Sequence, residues 1–199
     1  GYDKIPESMP LVCLPTVSSY EYSRLDALKD VFIRLGFSEV INLGLGSEFQ
    51  YEDTNSKSIE IINPLSRNYA FLRCSMIQGL LQNIQDNSNR KVDMLSIFEI
   101  GSIYKKTSSG FDEKPSAGIA VMNTYNLYYF KGIIEYVLRK IGYDITLQKI
   151  LEKEYGKVIE FVHNKDTIGR IFIPCDDLLK KYDVEKQEIF LAEVMLQDF

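Results

Sequence analysis

The charged residues best placed to do chemistry in this chain are Arg73 and Glu99. Arg73 stands just before a predicted helix, where its guanidinium fork could bind a phosphate or a carboxylate through two parallel hydrogen bonds. Glu99 interrupts an apolar run, and a carboxylate in such surroundings could act as an acid or a metal ligand. The structural alternatives are that Arg73 anchors the strand–helix junction and that Glu99 pairs with a basic group or faces a water-filled groove. We favour the structural roles for both residues.

The remaining reactive side chains are few and scattered. His163 is the single histidine, and because it precedes Asn-Lys-Asp in a predicted hairpin turn we interpret it as a surface turn residue. The cysteines Cys13, Cys74 and Cys175 are odd in number and far apart. That pattern is typical of reduced thiols in the cytosol rather than of a disulfide framework or a zinc site. We therefore predict no metal-binding residues.

The composition indicates a soluble globular protein with an acidic balance. Hydrophobic residues make up 45% and charged residues 26% of the 199 positions, and the formal net charge is −5. No apolar run approaches the roughly 18 residues that a membrane helix needs. RNA-binding domains are usually basic, because neutralising phosphates and releasing counterions drives their binding. Direct RNA binding is therefore not expected over most of the surface, although a contact through Lys105 and Lys106 stays open.

The order of the predicted elements favours an α+β fold. Three prolines make residues 1–17 an extended lead-in segment, and residues 18–199 form the core domain. Because the chain begins with Gly1 and ends at Phe199 inside a strand-and-loop pattern, we expect a piece of a longer polypeptide. The patterns predict helices over residues 18–36, 75–86, 126–141 and 176–182, strands over 39–43, 58–62, 94–106, 116–122, 158–162, 167–173 and 188–196, and a turn region over 107–115.

The predicted helix over residues 126–141 carries two apolar rows. Beside its core row runs a second row made by Tyr129, Ile133 and Tyr136. A helix that is apolar on so much of its circumference is usually buried on two sides. Either this helix is central to the domain or it meets another subunit, and both readings stay open. We take the second row as a candidate subunit interface.

An ordered set of short motifs runs through nearly the whole chain. It comprises Gly1-Tyr2-Asp3-Lys4-Ile5-Pro6, Leu35-Gly36-Phe37-Ser38-Glu39-Val40-Ile41-Asn42, Asn63-Pro64-Leu65-Ser66, Leu72-Arg73-Cys74-Ser75, Gly79-Leu80-Leu81, Phe98-Glu99-Ile100-Gly101 and Phe130-Lys131-Gly132. A looser match follows in the tail, at Ile168-Gly169, Lys181-Tyr182-Asp183-Val184 and Leu191-Ala192-Glu193. In order and spacing the set resembles the bacterial-type beta subunit of phenylalanyl-tRNA synthetase. A single four-residue match arises by chance, whereas the ordered set is highly specific.

The resemblance implies a class II aminoacyl-tRNA synthetase-like antiparallel sheet flanked by helices. It also implies a structural, subunit-interface role in phenylalanine–tRNA ligase, a cytoplasmic heterotetramer whose alpha subunit attaches phenylalanine to tRNA. Magnesium and ATP would serve the whole enzyme, tRNA(Phe) would be a partner of the whole complex, and the isolated fragment could self-associate. The residues that we interpret as its structural motif are Asn63, Pro64, Leu65, Ser66, Arg73, Gly79, Glu99 and Gly101.

The segment that would carry catalysis lacks the groups that adenylate formation needs. Class II enzymes stabilise the charge on the α-phosphate with arginines in two motifs, because a guanidinium fork contacts phosphate oxygens in a fixed geometry. Residues 98–106, in the position of the first of these motifs, contain no arginine, and no Gly-x-Gly-x-Gly-x-x-Arg occurs anywhere. We therefore predict no catalytic and no cofactor-binding residues in this chain. The alternative is a free-standing class II-like enzyme that forms an aminoacyl adenylate.

Overall fold

The computed structural model describes residues 2–4, 20–47, 59–108, 110–153 and 155–196. Cys13 and most of the predicted lead-in segment lie outside these residues, of which Tyr2–Lys4 form one 3-10 turn. The helices are α1 (Tyr20–Arg34), α2 (Ile77–Asn89), α3 (Leu127–Lys140) and α4 (Asp176–Lys181). The strands are β1 (Ser38–Glu39), β2 (Leu45–Gly46), β3 (Phe71–Leu72), β4 (Leu95–Thr107), β5 (Gly110–Met122), β6 (Leu147–Lys153), β7 (Gly156–His163), β8 (Asp166–Pro174) and β9 (Ile189–Met195).

A seven-stranded sheet with the order β1-β4-β5-β9-β8-β7-β6 forms the centre of the fold. Its pairings are antiparallel except that between β1 and β4, which is parallel. The predicted α+β class is confirmed, and the one parallel pair makes the sheet mixed rather than wholly antiparallel. A separate two-stranded sheet joins β2 to β3 beside it.

Two apolar cores lie on opposite faces of the large sheet, because side chains alternate between faces along each strand. On one face, Phe32 of α1 and Phe130 of α3 belong to the same cluster as Phe98 of β4. On the other face, Leu80 of α2 and Leu179 of α4 belong to the cluster that contains Ile97 of β4. The helices thus cover both faces of the central strands.

The hairpin of β4 and β5 is longer than the sequence indicates. The predicted turn region over 107–115 is wrong for most of its length, because residues 110–115 continue β5 and pair with residues 102–107. Pro115 is tolerated there because its carbonyl oxygen accepts from the Leu196 N–H at 2.9 Å, just beyond β9, so its nitrogen faces away from β4 and the β4–β5 ladder loses no hydrogen bond. The outer half of the hairpin therefore extends beyond β9.

Three short or exposed elements differ from the sequence-based expectation. β6 was not predicted, because this edge strand has mostly exposed side chains and lacks the apolar alternation of a half-buried strand. The predicted strand over 39–43 keeps only its first residue in β1, and the predicted strand over 58–62 forms a single bridge from Glu60 to Phe71. Within the described ranges, no helix is long and apolar enough to cross a membrane.

Candidate functional site

Arg73 and Glu99 form a buried ion pair where β3 leads into α2. Arg73 Nη1 lies 2.6 Å from Glu99 Oε1, and the two side chains are only 13% and 3% exposed. Arg73 Nε also donates a hydrogen bond of 2.7 Å to the carbonyl oxygen of Ser102. The guanidinium therefore joins the junction to β4 through a carboxylate and a backbone carbonyl, which is the arrangement that the structural interpretation of both residues predicts.

Asn42 completes the surroundings of the Glu99 carboxylate. Its backbone N–H donates to Oε1 at 3.2 Å and its Nδ2 donates to Oε2 at 2.8 Å. The same Nδ2 donates to Asn83 Oδ1 on α2 at 2.9 Å. Both oxygens of the carboxylate thus accept hydrogen bonds, as a buried charge requires. Glu99 links the segment after β1, the segment after β3 and helix α2.

Two glycines of the predicted motif leave room for side chains of this packing. A Cβ at Gly101 would lie 2.3 Å from Arg73 Nη2, so a side chain there would displace the guanidinium. A Cβ at Gly79 would lie 3.2 Å from Asn42 Cγ. The β4–β5 register runs unbroken through Gly101, so this glycine is a point of close approach and not a β-bulge.

The rest of the predicted motif lies in an exposed loop. Asn63 adopts φ 60°, a left-handed conformation that asparagine tolerates better than most residues, and Pro64 follows it. Leu65 is fully exposed, and Ser66 precedes the 3-10 turn Arg67–Tyr69. This loop does not join the Arg73–Glu99 pair.

A second buried carboxylate, Glu193, lies two strands away from Glu99 in the same cross-strand row. Glu99 pairs with Gly118, and Gly118 pairs with Glu193. Glu193 accepts hydrogen bonds from Ser75 Oγ at 3.1 Å and from the backbone N–H of Met76 at 2.8 Å, so it fixes the start of α2. A Cβ at Gly118 would lie 2.5 Å from Met76 Cβ. The helix start therefore rests on the glycine between two carboxylates.

The sequence motifs include Asn42 and Glu193, but no structural role was predicted for them or for Gly118. The signal for Glu193 was present, since it is the single charge in the apolar strand Ile189–Met195, just as Glu99 is in its own run. Asn42 has no comparable signal because its partners lie far along the chain.

The cross-strand row that contains Glu99, Gly118 and Glu193 continues across the sheet into β8 and β7. Arg170 of β8 pairs in register with Glu193 and with Glu160 of β7. Arg170 Nε lies 3.3 Å from Glu160 Oε1, with the side chains 22% and 16% exposed. Acidic and basic groups thus alternate along this part of the row, and attraction between neighbours stabilises the pairing of the strands.

A cleft of about 530 Å³ opens beside Arg73, between the segment after β1 and the start of α2. Arg73 and Tyr69 are the only titratable side chains among the described residues that line it. The other polar lining groups are amides and hydroxyls, which can hydrogen-bond to a ligand but do not exchange protons near neutral pH. Because the Arg73 guanidinium already binds Glu99, the cleft offers a poor phosphate site. Its described lining residues are Ile41, Asn42, Leu43, Leu45, Gly46, Ser47, Asn68, Tyr69, Arg73, Ser75, Met76, Gln78, Gly79 and Gln82.

The predicted interface row on α3 divides between the core and the surface. Ile133 is 6% exposed and belongs to the core cluster, whereas Tyr129 and Tyr136 are 60% and 43% exposed. Ile133 therefore packs within the chain, and an interface on this helix would be formed by the tyrosines.

The Lys131–Glu135 pair fixes the side of α3 that faces β6. Lys131 Nζ donates to Glu135 Oε1, and Gln148 Nε2 donates to the same oxygen at 2.7 Å. Burial favours the neutral carboxyl, but these hydrogen bonds and the charges of Lys131 and Arg139 outweigh it. They hold the pKa of Glu135 below its ordinary value.

His163 is the last residue of β7 and pairs with Asp166 of β8, so the turn itself is formed by Asn164 and Lys165 and the prediction that His163 is a turn residue is wrong by one position. Its Nδ1 is 2.6 Å from the carbonyl oxygen of Asp144, and its ring is 5.7 Å from the ring of Tyr143. Cys74 and Cys175 form no disulfide. Within the ranges that the structure covers, no three His, Cys, Asp or Glu side chains are grouped so that they could hold a metal ion.

Comparison with known families decides what this scaffold is. The family model of the phenylalanyl tRNA synthetase beta chain CLM domain matches residues 5–196. The chain belongs to this family. The resemblance seen in the ordered motifs is thereby confirmed, and the match includes Arg73, Glu99 and Glu193.

Individual proteins with similar sequences are beta subunits of phenylalanine–tRNA ligase. The phenylalanine–tRNA ligase beta subunit of Fusobacterium nucleatum is 26% identical over 98% of this chain and 27% of the relative. That of Carboxydothermus hydrogenoformans is 28% identical over 71% of this chain and 20% of the relative. The chain thus spans about a quarter or less of the length of these relatives.

The solved structures agree on the fold. The structure of PylSc, a pyrrolysyl tRNA synthetase from Desulfitobacterium hafniense, matches with a TM-score of 0.73 at 14% identity. The match covers 91% of this chain and 68% of that one. The CLM domain therefore has the fold of a class II-like tRNA synthetase, as predicted.

Proposed function

We propose that this domain is a non-catalytic structural part of phenylalanine–tRNA ligase that supports the alpha subunit, the subunit that attaches phenylalanine to tRNA. The observation that carries the proposal is the position of α2. Met76, which immediately precedes this helix, and Leu80 within it pack against Gly118 in the middle of the sheet. Helices α1 and α3 cover the opposite face of the same strands. Both faces of the central strands are therefore covered by helices, which leaves no room for a substrate on either face.

The chemistry of the described residues supports the same proposal. Arg73, which lies against β4, already binds Glu99 and the carbonyl oxygen of Ser102. The strand in the position of the first catalytic motif carries Lys105 and Lys106 in place of arginine, and a lysine lacks the bidentate fork that suits a phosphate. The ATP and magnesium used by the ligase would then bind the alpha subunit or other parts of the beta subunit. The assembly would be a cytoplasmic heterotetramer.

The contact with the alpha subunit is best supported on the outer side of β1, at a surface that we call the β1 surface and define by Ile33, Ile41 and Leu43. These side chains are 55%, 90% and 67% exposed. An ion pair of 2.8 Å between Lys29 and Glu39 holds α1 beside β1, and Ile33 lies one helical turn after Lys29. Exposed apolar groups at a sheet edge are typical of a protein–protein interface.

The test is co-expression of the chain with the cognate alpha subunit, followed by affinity purification. We expect a stable complex with the unchanged chain and its loss in the Ile41→Asp/Leu43→Asp variant. Ile150→Asp, on the edge strand β6 at the far end of the sheet, is the matched control because Ile150 is also exposed, at 73%. This control should retain the complex. The purified chain alone should catalyse no ATP–pyrophosphate exchange.

Two outcomes would contradict the proposal. If the folded chain has no affinity for the alpha subunit, the supporting role fails. If the chain alone exchanges pyrophosphate into ATP, it is an adenylate-forming enzyme. A complex that survives in both aspartate variants would reject the β1 surface but leave the supporting role intact.

A further inference from the structure

The cleft beside Arg73 is continuous with the β1 surface. Ile41 and Leu43 belong to the β1 surface and also line the cleft, and they are 90% and 67% exposed. Tyr69, the last residue of the 3-10 turn, is a third exposed lining residue, at 45%. A protein that covers Ile41 and Leu43 therefore also lies against the cleft.

The β1 surface is too small to hold a partner by itself. A stable protein–protein interface takes roughly 20–30 residues from each side. The β1 surface consists of Ile33, Ile41 and Leu43, so a stable complex needs contacts beyond it. The cleft adjoins it, and its volume of about 530 Å³ lies within the range of binding pockets, roughly 300–1,000 Å³.

The described lining of the cleft does not suit a charged occupant. Its one charged side chain, Arg73, already binds Glu99 and the carbonyl oxygen of Ser102. A charged group that entered would lose water without gaining a partner, which is costly. The amides of Asn68 and Gln78 instead offer donors and acceptors of the kind that pair with a peptide backbone.

Part of the cleft is ordered before any partner arrives. The Asn42 amide nitrogen donates to Glu99 Oε2 at 2.8 Å and to Asn83 Oδ1 at 2.9 Å. A side chain that is already fixed loses little conformational entropy on binding. Gln78 Nε2 donates to Ser47 Oγ at 3.0 Å in an exposed hydrogen bond, which an incoming peptide group can replace at a small net cost.

We infer that an uncharged segment of the alpha subunit enters this cleft. An apolar side chain of the segment packs against Ile41, Leu43 and Tyr69, and its backbone amides bond to the amide side chains of the lining. The inference rests on the proposed function, because it takes the alpha subunit as the partner. It adds the place and the chemistry of one contact.

Gly46→Leu is the variant that tests the cleft, with Gly44→Leu as its matched control. Gly46 lines the cleft, and the nearest atoms to the place of its Cβ belong to the flexible Gln78 side chain, the first at 3.1 Å. Gly44 is outside the lining, and nothing lies within 4 Å of the place of its Cβ. Neither glycine has a positive φ, so both backbones accept a side chain.

Titration of the two variants and the wild type with the purified alpha subunit measures the contact, and thermal unfolding checks the fold. We expect Gly46→Leu to weaken the complex by roughly tenfold or more, as the loss of a packed anchor does. Gly44→Leu should bind within about twofold of the wild type, as most surface variants do. The loss in Gly46→Leu should be equal at low and high salt, because salt screens only charges.

The outcomes separate this inference from the proposed function. If the wild type binds the alpha subunit and Gly46→Leu binds equally well, the cleft is not a contact, and the supporting role stands. If the wild type does not bind, both fail. A loss that disappears at high salt would show a charged occupant and overturn the inference.

Photo-cross-linking identifies the occupant and does not depend on the stability of Gly46→Leu. Gln82, an exposed lining residue, is replaced by benzoylphenylalanine, and Ile150 on β6 is replaced in the same way as the control. Irradiation of the complex should join position 82, and not position 150, to an uncharged stretch of the alpha subunit. Cross-links at position 82 only within the chain itself, or to a charged stretch, would overturn the inference.

Discussion

At the scale of single residues, the Arg73–Glu99 pair is the feature on which the junction between β3, β4 and α2 depends. The pair is buried, and Glu99 also accepts two hydrogen bonds from Asn42. Burying a charge is costly unless a partner compensates for it, so the two residues stabilise the fold only as a pair.

Glu99→Ala should therefore destabilise the protein strongly, because it leaves the Arg73 cation buried without its carboxylate. We expect a loss of about 3–5 kcal/mol in the free energy of unfolding, measured by urea denaturation. The double variant Arg73→Met/Glu99→Leu removes both charges and should recover much of that loss. A single variant that costs less than about 1 kcal/mol would show that the pair does not hold the junction.

At the scale of the elements, the start of α2 packs on the sheet so closely that glycine is required beneath it. A Cβ at Gly118 would lie 2.5 Å from Met76 Cβ and 2.9 Å from Leu80 Cδ1. The Cβ of Met76 cannot move without the helix backbone. By contrast, the atom that would meet a Cβ at Gly101 is the far end of the Arg73 side chain.

We predict that Gly118→Ala destabilises the domain by about 1–3 kcal/mol, the usual cost of overpacking a core. Gly101→Ala should cost less, provided that the guanidinium shifts and keeps Glu99 as its partner. Thermal unfolding of the two variants beside the wild type makes the comparison. The reverse order of stability would mean that the arginine is held more rigidly than the helix.

Glu135, at the junction of α3 and β6, makes a pH-dependent contribution to the stability of the fold. The pKa of Glu135 lies below its ordinary value of 4.5 in the folded chain. The resulting stabilisation is fully present when the pH is above the ordinary pKa. It is lost as the pH falls through the lowered pKa of the folded chain. Glu135→Gln should therefore be less stable than the wild type at pH 7. The difference should shrink below about pH 4.5, as measured by urea unfolding at several pH values. A difference that is constant with pH would contradict this.

At the scale of the whole molecule, the sequence predicts most of the helices and strands whose residues follow a local apolar pattern. The helices α2 and α3 follow from their apolar periodicity, and the family follows from the ordered motifs. The small sheet of β2 and β3 was missed because two-residue strands are too short for any periodicity. The surroundings of Glu99 were only partly predicted, since Asn42 and Glu99 are 57 positions apart and Asn42 and Asn83 are 41 apart. No local pattern records such pairings.

The position of β9 in the sheet has a consequence for the order in which the domain can be built during synthesis. Strands β1, β4 and β5 form one block and β6, β7 and β8 form another, and β9 is the strand that joins them. It is also the last strand of the sheet along the chain, beginning at Ile189. Each block therefore keeps an unpaired edge until β9 has emerged from the ribosome. Only then can the two apolar cores close, because each of them contains residues from both blocks.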